Sequence, residues 1–216
     1  MKKNNLYFVH GWGFDRFFWD PILSILKKTK EKKFEFYVYD LGFFFRPFYP
    51  KVRTTQKERN IFISHSYGYN WILKNIKNFD GIVNFSGSAN YFYFKKEKVK
   101  KRIDFMIKNM KTRPDQVLEN FYEDSGMSNF EIKKKFDKTL LITALETLRK
   151  DDLSQIEKEF KAPSISVFCN KDRIINIKNI TFPPQKKIVN GDHVFPYKCP
   201  VASSEIITDF LKNYEL

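Results

Sequence analysis

Ile61-Phe62-Ile63-Ser64-His65-Ser66-Tyr67-Gly68 is the stretch on which the reading of this chain turns. Apolar residues of high strand propensity run into Ser64, and helical periodicity resumes at 70–77, so the octapeptide reads as a strand turning sharply into a helix. A serine at the apex of such a turn takes a strained backbone angle and holds its hydroxyl clear of the sheet, which demands small residues two before and two after it. Ser64 and Gly68 meet that demand around Ser66. The same letters also suit an ordinary serine-rich turn, so the rest of the chain has to discriminate.

Upstream, a strand at 6–10 runs directly into His10-Gly11-Trp12-Gly13. Two glycines let this backbone fold over the serine, so that the amides of Trp12 and Tyr67 could point together at an oxyanion forming there. The helix after Ser66 would add its positive N-terminal end. A plain glycine turn is the bland alternative. Downstream, a serine nucleophile needs a base, and the chain has only 3 histidines. His10 lies in the glycine loop and His65 beside the serine with a diverging side chain, so both read as structural. His193 follows a strand at 187–190 and precedes the final helix, which suits the chain order serine, acid, histidine. Asp172, just past the strand at 164–170, is the matching acid on the same edge of the sheet. Asp192 is tethered one residue from His193 and cannot easily reach its Nδ1.

The length of 216 residues fits one compact domain with a small insertion. With 42% hydrophobic residues and 24 Phe the chain can bury a sizeable core, which excludes a disordered protein. No apolar run approaches ~18 residues, and the first residues lack a signal-peptide core, so a cytoplasmic location is expected. Two cysteines, Cys169 and Cys199, form neither a metal set nor a disulfide framework. Strand and helix patterns alternate over 1–90 and again over 151–216, predicting an α/β core with a mostly parallel sheet. Residues 91–150 carry helical patterning alone, which predicts a helical cap inserted between the two halves. Within it, Val99, Ile103, Met106 and Met110 make an apolar stripe for packing, Pro114 opens a second helix, and a third is expected over 131–149.

The 39 basic against 25 acidic residues give a net charge of +14. Residues 95–113 hold nine basic and two acidic residues, so half of the excess lies on one predicted helix. Lysine dominates over the arginine that base reading favours, and no nucleic-acid motif accompanies the charge.

Taken together, these motifs resemble the α/β-hydrolase superfamily and, within it, the pimeloyl-[acyl-carrier-protein] methyl ester esterases of biotin synthesis. The resemblance rests on the 10–13 loop with Trp19 downstream, the 64–68 turn, the stretch 145–153, the segment 171–175, and Asp192-His193 with Phe195. It implies Ser66, Asp172 and His193 as a catalytic triad, the Trp12 and Tyr67 amides as the oxyanion hole, and no metal or other cofactor. Three departures stand out. Ser64 replaces the usual glycine, the two antiparallel strands that usually come first are missing, and only 23 residues separate Asp40 from Ser64. A shortened sheet of about six strands is therefore expected.

In that last interval, Phe43 and Phe44 either wall an acyl pocket or pack under the cap. An acidic acyl carrier protein would be steered by Lys98, Lys101, Arg102, Lys108 and Arg113. An anionic membrane surface, suiting a lysophospholipase, and a merely solvated lysine face remain open as readings of the same helix. The expected activity is that of a serine carboxylesterase, with a general short-acyl esterase or thioesterase as the alternative and a non-catalytic binding module as the third possibility.

Overall fold

In the computed structural model the described residues are 3–28, 34–53, 55, 57–90, 96–128, 133, 135–175, 177 and 185–214. Six strands form one sheet in the order β2-β1-β3-β4-β5-β6, every neighbouring pair parallel. They are β1 (Lys3–Val9), β2 (Phe34–Tyr39), β3 (Glu58–His65), β4 (Gly81–Phe85), β5 (Ser164–Cys169) and β6 (Lys186–Val189). The two central strands are apolar on both faces: Leu6–Val9 and Ile61–Ile63 are wholly buried, as a sheet covered on both sides requires. The six-stranded sheet matches the expectation of a shortened one.

The chain enters the sheet at β1, crosses to β2 on one side and then returns to β3 on the other. That reversal leaves a crevice at the carboxyl ends of β1 and β3, where ligands of open α/β sheets bind. The loop after β1 and the turn after β3 are the two segments singled out from the sequence.

Helices α1 (Asp20–Leu26), α2 (Tyr67–Asn75), α6 (Ser154–Lys158), α7 (Phe195–Lys198) and α8 (Pro200–Asn213) belong to the alternating parts of the chain, with a 3-10 turn at Arg16–Trp19 leading into α1. Between β4 and β5 run α3 (Lys96–Thr112), α4 (Pro114–Ser125) and α5 (Lys138–Lys150). Helix α3 packs on α4 and α5, and α5 touches α2. The Trp12 indole N–H, which donates to the Leu141 carbonyl at 2.9 Å, ties the loop after β1 to α5.

Several element bounds differ from the sequence expectation for local reasons. Helix α2 starts at Tyr67, three residues early, because the strand-to-helix turn passes straight into it. The third inserted helix starts at Lys138, where the Asp137 side chain caps it by accepting from the Leu140 N–H at 2.9 Å. The expected start at Glu131 lies outside the described residues, as do residues 91–95 of the insertion. Helix α8 begins at Pro200, three residues early, proline being well suited to a first helical position.

Candidate active site

Ser66 occupies the turn between β3 and α2 at φ 50° and ψ −121°, a region that side chains other than glycine rarely enter. The strain is held by its neighbours. Its N–H donates to the Phe85 carbonyl at 2.9 Å, and its carbonyl accepts from the Tyr69 N–H at 3.0 Å. Gly68 is small for a reason visible in β1: a β-carbon there would lie 2.4 Å from the Val9 carbonyl oxygen and 2.7 Å from that of His10. Ser64, at the usual glycine position, is accommodated by a buried polar partner, its hydroxyl donating to Asn84 Oδ1 at 3.3 Å. Asn84 in turn donates to Gly87 O and Ser166 Oγ, both at 2.9 Å, so the extra hydroxyl joins a satisfied network.

Ser66 Oγ lies 3.0 Å from His193 Nε2, and His193 Nδ1 lies 2.8 Å from Asp172 Oδ2. The imidazole and the carboxylate side chains are fully buried. Asp172 is aimed by its own loop: its other oxygen accepts the backbone N–H groups of Ile174 and Ile175, each at 2.8 Å. Asp192 turns the other way, pairing with Lys198 at 2.6 Å. The structure therefore brings Ser66, His193 and Asp172 into one hydrogen-bonded chain and leaves Asp192 outside it. Such a chain can take a proton from a serine hydroxyl as it attacks a carbonyl, with the carboxylate holding the tautomer and supporting the imidazolium.

The loop after β1 closes on this group. A β-carbon on Gly11 would come within 3.0 Å of Ser66 Cβ, so the glycine lets backbone approach the serine. Tyr67 opens α2, so its N–H has no intrahelical acceptor and lies directly beside the serine. Gly13 takes φ 71°, and its carbonyl accepts from the Tyr122 hydroxyl at 2.6 Å, fixing the far end of the loop to α4.

A cavity of about 60 Å³ opens over Ser66, lined by Trp12, Ile103, Met106, Phe121, Leu145, Leu148 and Ile174 with Arg102 as the one charged lining residue among the described residues. Arg102, Met106 and Phe121 also line a second, adjoining cavity of about 390 Å³. In the wall of this second cavity Arg102 donates to Asp124 Oδ2 at 2.7 Å and to the Arg173 carbonyl at 3.0 Å, and Arg173 stands 3.4 Å from the other Asp124 oxygen.

Three of the described structural neighbours share this architecture across nearly the whole chain. An esterase from Exiguobacterium antarcticum superposes with a TM-score of 0.77 at 13% identity, covering 98% of this chain and 92% of its own. A bromoperoxidase from Bacillus anthracis gives 0.75 at 14% identity with the same coverage of 98% and 92%. An enol-lactonase from Burkholderia xenovorans LB400 gives 0.72 at 15% identity, again covering 98% and 92%. The chain has the α/β-hydrolase fold. No protein-family model matches it, and no curated protein matches it by sequence. One α/β-hydrolase fold carries an esterase, a bromoperoxidase and an enol-lactonase, so the chemistry has to be read from this chain's own residues.

Within this hydrolase fold the remaining expected site residues separate. Arg102 reaches the cavity. Lys98, Lys101, Lys108 and Arg113 are exposed on and just after α3 and line neither cavity. Neither Phe43 nor Phe44 is among the residues lining the cavity at Ser66. Phe43 is buried with its ring 5.9 Å from that of His10 and 6.3 Å from that of Tyr67, a core position. Phe44 lines a separate aromatic cavity with Phe14, Phe18 and Tyr197. The start of the β2–β3 connection packs against the foot of α5, the Phe43 carbonyl accepting from the Asp137 N–H at 2.7 Å, while α3 and α5 supply residues that line the cavity at Ser66. The pocket wall that sequence reasoning missed is the α3 stripe itself: Ile103 and Met106 carried a visible helical period, which cannot distinguish packing from lining.

Proposed function

We propose that the protein is a serine hydrolase of carboxylic esters, acting on the methyl ester of pimeloyl-[acyl carrier protein] in biotin precursor synthesis. The observation that carries the ester hydrolase reading is the unbroken chain from Ser66 Oγ through the His193 ring to Asp172, with Ser66 lining a mostly apolar cavity. Ser66 attacks the ester carbonyl while His193 takes its proton. The amides of Trp12 and Tyr67 stabilise the tetrahedral oxyanion, and the imidazolium returns the proton to the departing methoxide. Water, deprotonated by the same imidazole, then releases the acid from the acyl-enzyme.

The choice of substrate is supported by the family resemblance and by the distribution of charge. An acidic carrier protein would be steered by the exposed Lys98, Lys101, Lys108 and Arg113, with Arg102 lining both cavities. Such a partner implies a cytoplasmic enzyme. Among the described residues no helix is long and apolar enough to cross a membrane.

Two experiments test the two levels separately. Ser66→Ala should abolish both turnover of a short p-nitrophenyl ester and labelling by a fluorophosphonate, with an unchanged circular dichroism spectrum. Retained labelling overturns the ester hydrolase reading. The substrate is tested by comparing carrier-bound pimeloyl methyl ester, free dimethyl pimelate, an acyl thioester and a lysophospholipid, together with rescue of a biotin auxotroph lacking its own methyl ester esterase. Preference for the lysophospholipid, or failed rescue by soluble protein, overturns the carrier-protein substrate and leaves the esterase chemistry standing.

A further inference from the structure

His65 precedes the serine and closes β3 with its ring wholly buried. The ring stacks on Phe18 at 4.4 Å and 20° between planes, and meets Phe14 edge-on at 5.6 Å. Its Nε2 lies 3.1 Å from the backbone carbonyl oxygen of His193. A carbonyl only accepts, so Nε2 carries the hydrogen and Nδ1 is a bare lone pair. That lone pair has no partner among the described residues and faces Gly11, where a β-carbon would come within 2.7 Å of it. A phenylalanine could make the same stacking contact without burying an unsatisfied acceptor, so packing alone does not account for an imidazole here.

We propose that His65 is a positioning residue: its Nε2–H holds the His193 backbone and thereby aims the His193 ring at Ser66. This rests on the reading of Ser66 and His193 as reacting groups. The two rings are 4.9 Å apart. Burial holds the His65 imidazole well below the usual histidine range, with the nearby His193 adding to the effect, so His65 stays neutral and does not oppose an imidazolium forming beside it. The flanks of the His193 loop are tied elsewhere. The Lys171 N–H donates to the Gly191 carbonyl at 3.0 Å, and the Val194 N–H donates to the Ser125 carbonyl at 3.3 Å. The His65 bond fixes the carbonyl of His193 itself, and it does so from the strand that also presents the serine. Base and nucleophile are thus referenced to one rigid element.

The test compares wild type, His65→Phe, His65→Gln and Ser66→Ala. Phe keeps the stacking and removes the donor, whereas the Gln amide nitrogen can reach the same carbonyl. Expected for His65→Phe is a fall in kcat of about 10- to 100-fold with KM within about twofold of wild type, and an equal fall in the rate of fluorophosphonate labelling. His65→Gln should recover most of the loss. Nitrogen NMR of histidine-labelled protein gives a readout independent of turnover. His65 should show the Nε2–H tautomer, and the low-field Nδ1 proton of His193 should broaden or vanish in His65→Phe. Wild-type kcat with an unchanged His193 signal in His65→Phe overturns the proposal, as does a loss that follows melting temperature and is equal in the Gln variant. If Ser66→Ala turns over normally, the nucleophile reading has failed, and the NMR arm still decides whether His65 positions His193.

Discussion

Asp172 reaches His193 from 21 positions away in the chain, at 2.8 Å, while Asp192, the immediate neighbour of His193, is committed to Lys198. A side chain cannot readily fold back onto the ring of the next residue, whereas the loop after β5 delivers its carboxylate head-on with the other oxygen already held by two amides. Asp172→Asn should therefore lose turnover of a soluble ester by as much as ~10⁴-fold, because the tautomer and the imidazolium lose their support. Asp192→Asn should keep most activity, breaking only a partly exposed ion pair. Steady-state kinetics on both variants decide the matter, and the reverse ranking would displace Asp172 from the site.

Gly68 is pressed against β1. Gly68→Ala forces a β-carbon toward two backbone oxygens that cannot rotate away, so either α2 or the end of β1 has to shift. A destabilisation of about 2–3 kcal/mol is expected, with loss of fluorophosphonate labelling even where the variant remains folded. Urea unfolding and labelling of the same sample measure both effects, and a variant as stable and reactive as wild type would contradict the close approach.

Glu157 on α6 is buried, and its carboxylate accepts from the Tyr69 hydroxyl at 2.6 Å. Burial raises its pKa above the ordinary 4.5, with the Tyr69 bond pulling part of the way back. The folded state thus holds this proton more tightly than the unfolded chain. The resulting contribution is fully present below about pH 4.5 and is lost as pH rises through the higher folded value. Glu157→Gln keeps an acceptor for Tyr69 without the charge, so it should melt above wild type at pH 7 and converge on it toward pH 4.5. Calorimetry across that range checks the sign; a gap independent of pH would mean that the carboxylate does not titrate as described.

The exposed cations of α3 give a test at the surface. Reversing Lys98, Lys101 and Lys108 to Glu together should raise KM for a carrier-bound ester and flatten its salt dependence, while leaving free dimethyl pimelate unaffected. An equal effect on both substrates would remove the steering role.

The parts of the site that the sequence made legible are those set by local rules. Ser66 was marked by the small residues that its turn requires, Asp172 and His193 by their places after strands, and the parallel sheet by alternating periodicities. What stayed hidden depends on partners distant in the chain. The Ser64 hydroxyl is satisfied by Asn84 on another strand, and Trp12 is anchored on Leu141 across 129 positions. The α3 stripe has the same spacing whether its residues fill a core or face a ligand, so Ile103 and Met106 could be placed on one helix face but not over the serine. Phe43 and Phe44 follow a strand end on the correct edge, yet the direction taken by the connection beyond Asp40 is a tertiary fact.

The contact between Gly68 and the carbonyl of Val9 also bears on how related chains are to be judged. It is a mechanical clearance between two neighbouring pieces of backbone, indifferent to whether a hydroxyl, a hydrogen or a methyl group projects from position 66. A descendant that had given up its chemistry and kept its shape would still need the glycine, and would display most of the motif intact. Asp172 also holds its own loop through two amides, but its bond to His193 carries no such obligation, since the six strands pair without it. In an inert copy the histidine at 193 is free to drift first, so its presence in bonding distance of both Asp172 and Ser66 speaks for activity more strongly than the better-known signature around the serine.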